Sequence, residues 1–272
     1  MPTELLDFKA NLAFSIEDRI FLGEGLFETL SFSNMLPCYT NLHWQRMKNS
    51  AQLLEIQFDI SSKDFCDHLI NCIKVSKLTT GGIKVILSGG RAPRGLINRS
   101  IMSYLAVDAF SYSLDFNPLN LVSGEWLRDE RNPIYKIKSI NYLEAILARS
   151  FASSLISNEI LFFNLNNFAT DTTVANIFIV KDNKIYTPSL DSGVLPGIIR
   201  SRVLSICNKF KIGCEEINID KNTIMTSDAI FTTNSLQGIR EVKTFDGKVF
   251  IINHPKIVLL KKLLVDDVIN YQ

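Results

Sequence analysis

Lys136 and Lys138 stand two residues apart, directly before a segment of helical periodicity, in the stretch YKIKSINYLEAILARS at residues 135–150. An amine in that place can attack a carbonyl carbon. Once deprotonated it can also carry a proton, provided that burial or a neighbouring cation lowers its pKa. Alternation through Tyr135, Ile137 and Ser139 puts both lysines on one face of an extended stretch, so spacing does not choose between them. Solvation is the ordinary fate of a lysine beside a helix start. A second chemical feature is SGGRAPRG, residues 88–95. Here a glycine-rich loop after a strand offers two guanidinium groups, Arg91 and Arg94, of the kind that grips carboxylates. Metal chemistry finds little support: His43, His68 and His254 have no ligand spacing. The five cysteines are scattered without a C-x-x-C pair, which fits reduced thiols.

The elements that must position these groups can be read from periodicity. Asn141 and Glu144 have capping-box spacing, and Leu143, Leu147, Phe151 and Leu155 recur at helical intervals, so a helix is expected just after the lysines. Strands are expected over 8–16, 25–33, 83–87, 100–110, 160–165, 173–181, 229–233 and 241–245, with hairpin turns at 181–184 and at Asp246-Gly247. Helices are expected after a cap at Asn41, over 63–75, from Gly197 with Gly213 ending it, and over 255–271. The order lacks a regular βαβ rhythm and argues for an α+β class. The expected division is an N-terminal α+β domain over 1–116, a connection over 117–133 that carries two prolines and a glycine, and a C-terminal domain over 134–272. With 29 basic against 28 acidic side chains, nothing in the overall charge calls for nucleic acid or an anionic membrane surface. No uncharged apolar run reaches spanning length, and the expected setting is soluble and cytoplasmic.

K-S-I-N-Y-L-E-A-I-L-A resembles the signature of the fold-type IV pyridoxal-phosphate enzymes, the class IV aminotransferase family. Five further segments follow in that family's order: DRIFLGEGLFETL (18–30), LHWQRM (42–47), ATDTTVANIFIV (169–180), GVLPGIIR (193–200) and DAIFTTNSLQGIREV (228–242). The resemblance spans nearly the whole chain. It implies a two-domain α+β protein like D-amino-acid aminotransferase, with a small N-terminal domain, a larger C-terminal one and the cofactor between them. It selects Lys138 as the residue holding pyridoxal 5'-phosphate and leaves Lys136 as a neighbour. It also makes Arg46 and Ser235 phosphate ligands, with the backbone of Ile198 and Ile199 at the helix start completing an anion cradle. Asp171 falls where the family has a glutamate beside the pyridine nitrogen; it keeps the charge but is one methylene shorter. Thr172 and Thr173 are candidate supports for the phosphate or the ring.

The family holds D-amino-acid and branched-chain aminotransferases and 4-amino-4-deoxychorismate lyases, so substrate-side residues must separate them. Arg91 and Arg94 suit a substrate with two carboxylates, and the R-G element resembles the lyase loop more than that of the branched-chain enzymes. R-x-P-R is similar to the carboxylate loop of the D-amino-acid enzymes, though no histidine follows. Phe27 and Glu28 are expected to line the substrate side. The leading expectation is elimination of pyruvate from 4-amino-4-deoxychorismate to give 4-aminobenzoate, for folate biosynthesis; the alternative is a D-amino-acid or branched-chain aminotransferase. Leu22, Glu24 and Asp171 depart from the family pattern and suggest a third reading, a non-catalytic member. A homodimer is implied, with a small-molecule substrate, no metal, no nucleic acid and no membrane.

Overall fold

The computed structural model describes residues 3–7, 15–155 and 157–271. The chain divides into two compact units: Met1–Ser113 with Ile137–Asn141 and Tyr271–Gln272, and Leu114–Lys136 with Tyr142–Asn270. The short run containing Lys138 thus belongs to the first unit, whereas the residues on either side of it belong to the second.

Among the described residues the first unit is a five-stranded sheet with two helices. Its strands are β1 (Glu4–Asp7), β2 (Gly25–Ser33), β3 (Leu36–Pro37), β4 (Gly81–Ser88) and β5 (Tyr104–Phe110), in the order β1-β5-β4-β2-β3. Most of the strand expected over 8–16 lies outside the described residues. Helices α1 (Thr40–Leu53) and α2 (Ser62–Ser76) cover one face. Alternation along β2 and β4 sends Leu26, Leu30, Ile83, Val85 and Leu87 into a core with Met47, Ala51, Phe65, Leu69 and Ile73 from the helices. Ser61 caps α2, its hydroxyl accepting from the Asp64 N–H at 3.1 Å. Helix α1 starts two residues earlier than an Asn41 cap would place it, with Tyr39 as the N-cap in the left-handed region at φ 54°.

The second unit contains β6 (Leu119–Arg128), α3 (Leu143–Ser154), β7 (Glu159–Asn164), β8 (Ala169–Thr172), β9 (Asn176–Lys181) and β10 (Lys184–Pro188). It continues with α4 (Ile198–Lys209), β11 (Cys214–Ile217), α5 (Lys221–Met225), β12 (Ala229–Asn234), β13 (Gly238–Phe245), β14 (Lys248–Val249) and α6 (Pro255–Tyr271). The strands run β11-β10-β9-β12-β13-β6-β7-β8, and β8 pairs again with β9 through Asp171 and Asn176, so the path returns on itself. Both expected hairpin turns form. Asp182 and Asn183 have φ 48° and 59°, and Asp246 and Gly247 have φ 46° and 80°.

Three local expectations are corrected. The stretch 117–133 holds β6, and its glycine lies in the register shift between Ser123 and Leu127, where Gly124 lets the strand pass close to Ile160 and Phe162. Helix α4 ends through Lys211 at φ 55°, with the Ile212 N–H returning to Cys207 O, before Gly213 is reached. The capping box does not form. Helix α3 begins at Leu143 with no side-chain cap, and the Glu144 carboxylate instead accepts from Trp126, Tyr135 and Arg128. Those charged and aromatic donors offer a stronger bond than one backbone N–H.

Candidate active site

In the first unit, residues 138–140 lie along the start of β2. Phe27 N–H donates to Lys138 O at 3.0 Å, Ile140 N–H donates to Gly25 O at 3.1 Å, and Leu26 and Ser139 form a bridge. Asn141 Nδ2 donates to Gly23 O at 3.0 Å, and a Cβ on Gly23 would strike Asn141 Oδ1. That contact fixes the segment on its C-terminal side. Lys138 Nζ lies 4.2 Å from the centroid of the Phe27 ring.

Phe27 and Glu28 do not share a face. Successive strand residues point oppositely, and Glu28 turns toward α1, where it is 1% exposed. There Arg46 Nε donates to Glu28 Oε1 at 2.7 Å and Arg46 Nη2 to Oε2 at 2.5 Å, a two-bond grip. His43 Nδ1 is 2.7 Å from the same Oε2. Burial pushes the Glu28 carboxyl up, but Arg46 and His43 outweigh it and hold it down at about 2. Burial also pushes the His43 imidazole down against the pull of Glu28, so the ring is neutral and Nδ1–H donates. His43 Nε2 is buried without a hydrogen-bond partner among the described residues.

The glycine-rich loop that follows β4 is organised by residues that the sequence reading passed over. Arg19, 3% exposed, donates from Nε to Glu24 Oε2 at 2.6 Å, from Nη1 to Gly95 O at 3.0 Å and from Nη2 to Leu96 O at 3.2 Å. Asp18 accepts from Ser88 Oγ at 2.5 Å and from Ile20 N–H at 2.9 Å. Glu24, a departure from the family pattern, therefore braces the loop. The loop carries Arg91 and Arg94, both exposed, and neither makes an ion pair among the described residues.

In the second unit, Asp171 is 8% exposed. Its Oδ1 accepts from Arg128 Nη1 at 2.5 Å and its Oδ2 from Leu195 N–H at 3.1 Å. Arg128 is shared: Nε and Nη2 donate to Glu144 Oε2 at 3.0 and 2.8 Å, and its guanidinium lies 3.5 Å from the Phe162 ring centroid. Burial raises the Asp171 carboxyl above the usual range, with Arg128 and Leu195 pulling it back only in part. Such a carboxylate is still short of positive charge, which suits it to one more protonated donor.

Register places Asn176 beside Asp171 on one side and Thr233 on the other. Asn176 Nδ2 donates to Leu195 O at 2.9 Å, so Asp171 and Asn176 clamp the chain that leads into α4 from both sides of one residue. Gly197 is the N-cap without a side-chain bond, and a Cβ there would strike Asn176 Oδ1. Helix α4 therefore begins with its first N–H groups uncapped, at Ile198 and Ile199. Thr233 Oγ1 is buried without a partner among the described residues. Asn234 Oδ1 accepts from Leu236 and Gln237 N–H at 3.1 and 2.8 Å and shapes the turn that carries Ser235. Thr172 and Thr173 are otherwise engaged. The Thr172 hydroxyl accepts from Ala175 N–H at 3.1 Å, and the Thr173 hydroxyl donates to Glu159 at 2.6 Å.

The sequence-chosen residues thus fall into two sets. Lys138, Phe27, Arg46, Arg91 and Arg94 belong to the first unit, and Asp171, Ile198, Ile199 and Ser235 to the second. Arg128 and Glu144 were missed because they sit on different elements with no periodic relation to Asp171. The signal for Thr233 was its place two residues before Ser235, on the strand itself.

A family model described as amino-transferase class IV matches residues 25–245. A solved structure from Legionella pneumophila subsp. pneumophila str. Philadelphia 1, provisionally assigned as a 4-amino-4-deoxychorismate lyase, is 47% identical with a TM-score of 0.96. The match covers 98% of this chain and 100% of that one. The D-alanine aminotransferase of Bacillus licheniformis is 23% identical over 252 residues, 88% of this chain and 86% of its own length. The aminodeoxychorismate lyase of Bacillus subtilis (strain 168) is 23% identical over 222 residues, 79% of this chain and 75% of its own.

Proposed function

The chain belongs to the amino-transferase class IV family, and from that premise we propose that it is a pyridoxal-phosphate-dependent 4-amino-4-deoxychorismate lyase, releasing 4-aminobenzoate and pyruvate. The observation that carries the reading is the braced loop with two exposed guanidinium groups, Arg91 and Arg94, that make no ion pair among the described residues, which suits a substrate bearing two carboxylates. The 47% identity to the Legionella protein supports the same choice.

The residues present fit the cofactor. The Thr233 hydroxyl, without a partner among the described residues, and the start of α4, without a side-chain cap, offer an anion cradle in the second unit, to which Ser235 would add a hydroxyl. Asp171 keeps unspent capacity for a protonated ring nitrogen. When bound, pyridoxal phosphate supplies an electron sink for the carbon next to the substrate nitrogen. Lys138 would hold the cofactor through its amine and, once freed by the substrate, would take the proton from the substrate carbon that bears the nitrogen. Asp171 would keep a proton at the ring nitrogen. Arg91 and Arg94 hold the carboxylates. The C–O bond to the enolpyruvyl group breaks as the ring becomes aromatic, and Lys138 returns its proton to the departing fragment, which leaves as pyruvate.

The reading extends to a homodimeric, cytoplasmic enzyme; no helix among the described residues is long and apolar enough to cross a membrane. A second reading, aminotransferase, has support in the D-alanine aminotransferase relative. One assay separates them. Purified protein given 4-amino-4-deoxychorismate should yield 4-aminobenzoate and pyruvate in equal amounts. Amino exchange from D-alanine or a branched-chain amino acid, with no 4-aminobenzoate, would sink the lyase.

A further inference from the structure

The Phe27 ring carries two ammonium groups. Lys84 Nζ lies 3.5 Å and Lys138 Nζ 4.2 Å from its centroid, so the two nitrogens are within about 8 Å of each other. Lys84 reaches this place through sheet register. β4 turns Ile83, Val85 and Leu87 into the core, which leaves Lys84 on the opposite face beside Thr29, its partner on β2. Its partner on β5 is Asp108, yet among the described residues these two form no ion pair, and the ammonium rests on the aromatic ring instead. Burial lowers the Lys84 pKa, and Glu28 opposes that only in part.

Among the described residues, four elements of the first unit carry charged or titratable groups linked by contact or register to this cluster. β2 contributes Glu28, whose charge is engaged by two bonds from Arg46 and one from His43. α1 contributes Arg46, already matched by that carboxylate, and His43, which is neutral. β5 contributes Asp108, which faces Lys84 in register. β4 contributes Lys84, a cation without an ion pair among the described residues.

We propose that Lys84 is the electrostatic partner of Lys138, lowering the affinity of that amine for a proton so that it stands free to attack a carbonyl carbon and to carry a proton. In the step concerned, the Lys138 ammonium gives its proton to solvent and keeps the lone pair; no other bond changes. Lys84 is a positioning residue in charge rather than in shape, and the inference rests on the reading of Lys138 as the cofactor lysine.

The test is competitive labelling of the full-length chain with acetic anhydride across pH, read at each lysine by peptide mass spectrometry, with and without pyridoxal phosphate. In cofactor-free wild type, Lys138 is expected to titrate below the ordinary lysine value of about 10.4. Lys84→Met should raise that midpoint by about one pH unit, and Lys84→Arg should leave it low. A Lys138 midpoint unchanged in Lys84→Met overturns the inference. If the Met variant does not fold, the wild type decides: high salt should raise its Lys138 midpoint, and a midpoint insensitive to salt overturns the inference equally. The cofactor reading is judged separately. Pyridoxal phosphate should shield Lys138 and not Lys84 from the label, and loss of that pattern would remove the cofactor role while the midpoints still report on the charge.

Discussion

In the first unit the Glu28 carboxylate receives two N–H bonds from Arg46 and a third from His43; in the second, the Asp171 carboxylate receives one from an arginine that also serves Glu144. Burial is the largest influence on both acids and pushes both upward. The outcomes are opposite: Glu28 ends at about 2 and Asp171 ends above its ordinary range. What decides the sign is how much positive charge each acid has to itself. Glu28 is saturated and acts as a fixed strut that aims Arg46. Asp171 is under-compensated and stays receptive. An arginine beside a buried carboxylate therefore says little until its other partners have been counted.

The largest effect that bears on this contrast belongs to neither acid. Lys138→Ala should reduce turnover by at least about a thousandfold, some 4 kcal/mol of lost transition-state stabilisation, and abolish covalent retention of pyridoxal phosphate. Retention by the variant would leave the first unit with only a structural role for its charged cluster.

Next is Glu28→Gln, read by urea unfolding as a function of pH. A carboxyl held at about 2 against 4.5 when free stabilises the fold above pH 4.5, and that stabilisation is lost as pH falls toward 2. The stability gap to wild type should be about 3 kcal/mol at pH 5 and about half that at pH 3. A gap independent of pH would mean that Glu28 is not the saturated partner in the comparison.

Asp171→Asn should lower kcat by about a hundredfold while changing cofactor affinity less, because the amide cannot hold a proton at the ring nitrogen. Its stability profile should slope the other way from that of Glu28→Gln. The Asp171 carboxyl is raised in the folded chain, so wild type loses stability relative to the variant as pH rises from 3.8 through the folded value. Parallel slopes for the two variants would end the contrast.

The smallest effect is at Thr233. Removing an unpartnered hydroxyl costs nothing in the empty chain, so Thr233→Val should leave Tm unchanged or higher. It should weaken pyridoxal phosphate binding by about tenfold, measured by absorbance titration. A lower Tm with unchanged binding would take Thr233 out of the cradle.

The segments with periodicity were legible beforehand: α2, α6, the hairpin turns and the start of α4 all follow from patterns within one element. The lysine segment stood out by residue type and by its place before a helix, though its two amines could be separated only by family resemblance. What could not be read was any choice among partners. Asn141 and Glu144 had capping spacing, yet Gly23 O took one and Arg128 the other. Gly124 read as a linker signal because a glycine in a strand bulge and a glycine in a loop look the same in sequence. Arg128 and Lys84 carried no mark at all, since their roles depend on which strands lie beside them.

Gly197 has an ordinary φ of −70°, so nothing in its own backbone demands glycine; the demand comes from Asn176, whose amide oxygen occupies the space a methyl would need. In evolutionary terms the two positions cannot drift independently. A side chain at 197 requires a smaller residue at 176, and that exchange gives up the bond to Leu195 that sets where α4 begins. Relatives of this chain with alanine at the first position should therefore show a compensating change at the second, together with a different path into the helix.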